Sequence, residues 1–449
     1  MTPTIAELAA DLQAGRTTSV ALTEAALARA RDEQGEGARV FTDLFADQAL
    51  AAARASDLLR AAGLARSPID GLPISVKDLF DIEGLATRAG SVVLNEAPPA
   101  ERSALAVRRL QAAGAVIVGR TNMTEFAYSG LGINPHHGTP ANPWDRATGR
   151  IPGGSSSGAA VSVSDGMAVA GIGSDTGGSV RIPSALCGLT GFKPTATRVD
   201  MQGVLPLSLN LDSLGPLAAS VACCAVLDSI LAGDEPAVPA AFDLRGARLA
   251  VPTTVVLDDM DETVAAAFAR ARDVLAAAGA LIVEIELPEF AELAAINAKG
   301  GYTASEAWTF HKELIASAED QYDPRVVSRI RRGEAMTASD FIELDAARQH
   351  WIADVEARIE GYDALLMPTV PRVAPAIHEL VQDEALYFKN NGLMLRNPTF
   401  INFLDGCALS LPCHRDGEAP VGLTLAAAGG HDERILALGL AVEQALAAR

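Results

Sequence analysis

The sequence predicts an α/β fold. Strand and helix periods alternate in two separate regions, first over residues 72–118 and again over 248–287. The 449 residues are 49% hydrophobic and 20% charged, a balance found in packed globular chains and not in disordered ones. Length alone allows one large domain or two or three modules, any of which can bury a substantial core.

Residues 4–62 read as helices that carry no identifiable chemistry. Thr4 and Glu7 have capping-box spacing, and Gly15 ends the first element. A second helix runs from Ser19 to Arg31, and an Ala-rich third from Asp47 to Leu64. Leu72, Ile74 and Val76 then alternate with Pro73, Ser75 and Lys77, the period of a half-buried strand, which puts Lys77 opposite the apolar set. A helix capped by Ser103 and stopped by Gly114 precedes a buried strand at Val116 to Val118. Cys223 to Leu231 is an apolar helix, and residues 234–243 form a Pro- and acid-rich surface connection. Arg248 to Val251 (strand), Glu262 to Ala278 (helix) and Leu281 to Leu287 (strand) repeat the alternation. Residues 290–360 are helical and charged, a lid or side layer; Asp363 to Pro368, Phe400 to Pro412 and Pro420 to Leu425 complete the sheet.

The chemistry centres on two clusters, Gly153-Gly154-Ser155-Ser156-Ser157-Gly158 and Asp175-Thr176-Gly177-Gly178-Ser179, joined by a mostly apolar segment from Ala159 to Ile172. A connection of that size can fold back and bring both loops to one end of a sheet. Glycine lets a substrate approach the main chain, so these turns offer hydroxyls beside free N–H groups, as acyl transfer requires. A phosphate loop is excluded, because Gly171-Ile172-Gly173 is followed by Gly177, one position too late for G-x-G-x-x-G. Gly154 to Gly158 matches G-x-S-x-G, yet Asn142 to Arg146 before it is turn material and not the strand a nucleophile elbow needs. A flexible Gly/Ser linker does not fit the apolar run and second turn that follow.

With Gly191-Phe192-Lys193-Pro194-Thr195 downstream, and Gly71-Leu72-Pro73-Ile74-Ser75-Val76-Lys77-Asp78 upstream, the stretch resembles the signature of the amidase signature family, serine hydrolases acting on C–N bonds. Asp212 to Pro216 resembles that family's D-x-x-G-P segment, and Asp363 to Pro368 its late D-x-L-L-x-P segment. The resemblance implies one domain over 1–449 with a central mixed β-sheet flanked by helices, and a signature core over 65–225. It implies Lys77 as base, Ser155 as proton relay after a cis Gly154–Ser155 peptide, and Ser179 as nucleophile. The N–H groups of Thr176, Gly177, Gly178 and Ser179 would hold the oxyanion, and Ser156 would support the network. Asp175 and Arg181 are expected to pair and shape the turn. Thr121 to Ala127 resembles the family's N-M-D-E-F segment, with Thr124 where acid is common. It points to Met123, Phe126, Tyr128 and Ser129 at the substrate, although plain core packing suits Phe126 and Tyr128 equally. Thr424 stands where the family usually has Gln.

A lysine near pH 7 is charged, with a reference pKa of about 10.4, so serving as base requires burial that depresses it. The formal charge of −20 argues against nucleic acid and anionic membranes as partners. Five cysteines show no zinc spacing, His136-His137 lacks a third ligand, and no cofactor or metal is expected. No signal peptide or apolar run of about 18 residues is seen, so a cytoplasmic location is expected. The leading function is a linear amide hydrolase with bulky uncharged or aryl substrates. The alternatives are a carbamate or ester hydrolase, an amidase-like subunit of a tRNA-dependent glutamine amidotransferase, and an inactive binding protein. Aromatics in 123–137, 296–312 and 386–405 suggest the pocket walls, and the oligomeric state is open.

Overall fold

The computed structural model describes residues 2–448. One mixed sheet of eleven strands runs through the molecule. In chain order these are β1 (Phe41–Leu44), β2 (Pro73–Lys77), β3 (Val116–Thr121), β4 (Ala170–Ser174), β5 (Thr190–Lys193) and β6 (Leu214–Ala218). Then come β7 (Arg248–Pro252), β8 (Leu281–Ile285), β9 (Ala364–Pro368), β10 (Cys407–Pro412) and β11 (Gly422–Ala427). Their spatial order is β1-β3-β2-β4-β6-β5-β10-β11-β9-β7-β8. β2 is parallel to both β3 and β4, β7 is parallel to β8 and β9, and the remaining pairs are antiparallel. The expected α/β class and single domain therefore hold.

Helices cover the sheet, which changes the reading of β2. All five of its residues are buried, so the polar face carrying Ser75 and Lys77 is as dry as the apolar one. The covering element is the helix Ser157–Ser164, whose Ser162 Oγ lies 2.9 Å from Ser75 Oγ. Small residues permit this close approach: a Cβ on Gly173 of β4 would stand 2.5 Å from Ser156 Oγ. The segment between the two serine clusters is thus a helix followed by β4, the antiparallel helix–strand return that brings both clusters to one end of the sheet.

Several boundaries differ from expectation. The third N-terminal helix is Ala46–Ala61, and a short helix (Gly37–Val40) and β1 precede it. The helix before β3 is Leu105–Ala112; its N-cap is Ala104, and Ser103 Oγ instead accepts from the Glu83 N–H at 3.0 Å. Phe400 lies in the helix Glu384–Phe403, and only Cys407 onward is strand. Residues 290–360 contain four α-helices, Gly301–Ala318 among them.

Candidate active site

Lys77 closes β2 and Ser174 closes β4, so two neighbouring parallel strands release their polar ends on the same side, where ligands commonly bind. Lys77 is wholly buried, and its Nζ donates to Ser155 Oγ at 2.7 Å and to Ser174 Oγ at 2.8 Å. Burial pulls its pKa down to about 7, although the charges of Asp212 and Asp175 push the other way. The sequence placed Lys77 on the right face but could not show that this face is covered.

Ser155 is held by its own turn. The Gly154–Ser155 peptide is cis, Gly154 N–H donates to the Gly130 carbonyl at 2.9 Å, and the Ser155 carbonyl accepts from Thr124 N–H at 3.1 Å. Ser156 N–H reaches the Ser179 carbonyl at 3.3 Å, tying the two clusters together, while Ser156 Oγ bonds the Ser174 carbonyl at 3.3 Å.

Asp175 and Arg181 pair in full burial, at 2.9 Å to Oδ1 and 3.0 Å to Oδ2. The same carboxylate accepts from Gly178 N–H at 2.8 Å and Val180 N–H at 3.1 Å, and from Asn402 Nδ2 at 2.9 Å. Asp175 is held well below the usual carboxylate range, its burial outweighed by Arg181, Lys193 and the Asn402 bond. Gly178, at φ +115°, gives its N–H to Asp175. The N–H groups of Thr176, Gly177 and Ser179 take no acceptor in the protein among the described residues. They are the donors this turn presents.

Two residues that the motif reading left without a task complete the surroundings. Ser174 shares the Lys77 ammonium, and its place just before Asp175 was the available signal. Asp212 accepts from Thr176 Oγ1 at 2.5 Å and from the Leu207 and Ser208 N–H groups at 2.9 and 3.1 Å. Burial raises its pKa to about 6, against these hydrogen bonds and the charge of Lys77.

Ser179, Thr176 and Gly177 open on a cavity of about 500 Å³. Tyr128 and Ser129 line it, whereas Met123 and Phe126 do not. Phe126 packs on His311 and Tyr322, with ring centroids 4.3 and 5.3 Å away, so core packing claims it. Of the other aromatics singled out in the sequence, Tyr302, Phe400 and Phe403 reach the wall, and they stand on helices rather than loops. His136 bonds Glu125 Oε1 at 2.8 Å. No cluster of three or more His, Cys, Asp or Glu side chains able to hold a metal ion occurs among the described residues. No helix among them is long and apolar enough to cross a membrane.

A buried lysine–serine pair behind a serine-bearing turn is an arrangement suited to acyl transfer. The amidase family model matches residues 21–436, and the chain belongs to that family of enzymes acting on C–N bonds. It is 37% identical to a 2-amino-5-chloromuconic acid deaminase of Comamonas testosteroni, over 98% of this chain and 95% of the relative. It is 33% identical to a glutamyl-tRNA(Gln) amidotransferase subunit of Chloroflexus aggregans, over 96% of this chain and 94% of that one. A crystal structure of an amidase matches at a TM-score of 0.87 and 33% identity, covering 98% of this chain and 99% of its own.

Proposed function

We propose that the protein hydrolyses a linear amide through an acyl-enzyme formed on Ser179. The observation that carries this reading is the fully buried Lys77, with its pKa brought to about 7, 2.7 Å from Ser155 Oγ. Neutral Lys77 takes the Ser155 proton while Ser155 takes that of Ser179, and Ser179 Oγ bonds the substrate carbonyl carbon. The oxyanion is received by the N–H groups of Thr176, Gly177 and Ser179. The C–N bond then breaks as the proton returns through Ser155 to the leaving nitrogen. Water, deprotonated over the same relay, cleaves the ester and frees the acid and Ser179.

Ser179→Ala is expected to abolish turnover with circular dichroism and melting temperature retained, and Lys77→Ala to reduce turnover nearly as far. Ser156→Ala should cost far less than Ser155→Ala. Amine release by stopped flow checks both points, and full activity in Ser179→Ala would remove the nucleophile from that residue. Carbamates and esters present the same carbonyl, so relative rates on matched substrates rank the three bonds. The amidotransferase relative supports a second reading, in which the chain works within a complex and releases ammonia from glutamine. Glutaminase activity appearing only with a co-purified partner would favour it.

A further inference from the structure

Three arginines, Arg329, Arg332 and Arg396, stand on the cavity wall, and among the described residues no aspartate or glutamate does. That is an uneven outcome for a chain with 56 acidic and 36 basic side chains. Backbone carbonyls hold the three guanidinium groups in place. Arg329 donates to the Tyr128 carbonyl, with its Cζ 4.3 Å from the Tyr128 ring centroid. Arg332 donates to the Ala298 carbonyl at 3.1 Å. Arg396 reaches the carbonyls of Val256 at 3.1 Å and Asp258 at 2.7 Å. Its nearest carboxylate, Asp259, is 3.8 Å away and 66% exposed. Such contacts fix a guanidinium without neutralising it, and each leaves part of the five-donor fork unused.

The remaining wall is mostly apolar, with Leu211, Phe290 and Phe400 among its residues. A neutral substrate filling this space offers these cations no charge partner. A carboxylate replaces that water with charge-assisted, bidentate bonds that arginine geometry favours. We propose that the cavity takes an anionic substrate: an apolar body bearing a carboxylate bound by Arg332 and Arg329, with the scissile C–N bond at Ser179. This rests on the hydrolase reading above. It replaces the uncharged aryl amide suggested by the aromatics, because a linear sequence does not show that positions 329, 332 and 396 share one wall.

The test pairs kinetics with binding. The monoamides of succinic, glutaric and adipic acid are compared with unbranched alkanamides of the same chain length, in which a methyl group replaces the carboxylate. The best acid is expected to exceed its neutral counterpart about 100-fold in kcat/KM. Arg332→Gln, at an exposed position, should remove about tenfold or more of that preference through KM and be partly rescued by Arg332→Lys. Calorimetry with succinate, glutarate and adipate, which have no scissile bond, reads the site without chemistry. At least one should bind wild type and Ser179→Ala alike and bind Arg332→Gln more weakly. Equal turnover of acids and alkanamides, or no binding of any of the three dicarboxylates, overturns the proposal while leaving the hydrolase intact. Binding that depends on Arg332, with no amide turned over, retains the anion site and overturns the hydrolase.

Discussion

Lys77 is the residue on which the proposed chemistry turns, and two opposing effects set its charge. Removal from water disfavours the ammonium, while Asp212 and Asp175 favour it, and burial prevails to leave a pKa of about 7. Only the neutral amine can accept a proton. Below pH 7 the lysine is charged, so kcat/KM should fall about tenfold per pH unit, and above it the rate should level off. Asp212→Asn removes a negative charge that stabilises the ammonium, so the rising limb should move to lower pH. A pH–rate profile of both proteins checks the sign; a shift to higher pH would exclude Asp212 as a group that holds the proton on Lys77.

At the level of elements, the turn carrying Ser179 is shaped by a dry ion pair. Asp175 meets Arg181, Gly178 N–H, Val180 N–H and Asn402, so one carboxylate organises the turn and binds the helix Glu384–Phe403 to it. Removing one partner of a buried pair strands the other charge, at a cost of about 3–5 kcal/mol. Asp175→Asn or Arg181→Met alone should therefore lower the urea midpoint strongly and nearly abolish activity. The double variant Asp175→Leu/Arg181→Met should recover much of the stability and none of the activity, because Gly178 and Val180 lose their acceptor. This pair was legible in the sequence because its partners are six residues apart within one motif. So were β2, whose apolar residues alternate, and β3, β7, β8 and β9, each a short apolar run. The helix Glu384–Phe403 was not. It contains Pro398, and Asn390, Asn391, Asn397 and Asn402 are buried in it, each bonding main chain or a neighbouring polar group. Inward-facing asparagines erase the apolar stripe by which a helix is recognised. The burial of Lys77 was hidden for a related reason, since a serine-bearing helix covers its strand.

Across the described residues, eleven strands share one sheet with helices packed against it, and the five cysteines are buried. Burial pushes the thiols of Cys187, Cys223, Cys224 and Cys407 upward, away from the reactive thiolate. Ellman's reagent should find essentially no thiol in the native protein at pH 8 and five in guanidinium chloride. The rate of labelling near the unfolding transition then reports how often the sheet opens, and prompt labelling of one thiol in native buffer would mark a locally opening element.

The lysine and serines invoked for bond breaking lie between residues 77 and 179, whereas much of the cavity wall, including all three arginines, comes from residues 290–403. Reaction and recognition are thus written in different stretches of the gene. A lineage can revise the second stretch, one side chain at a time, while the first is left alone. New substrates become accessible by that route without any intermediate ancestor having to surrender its catalyst.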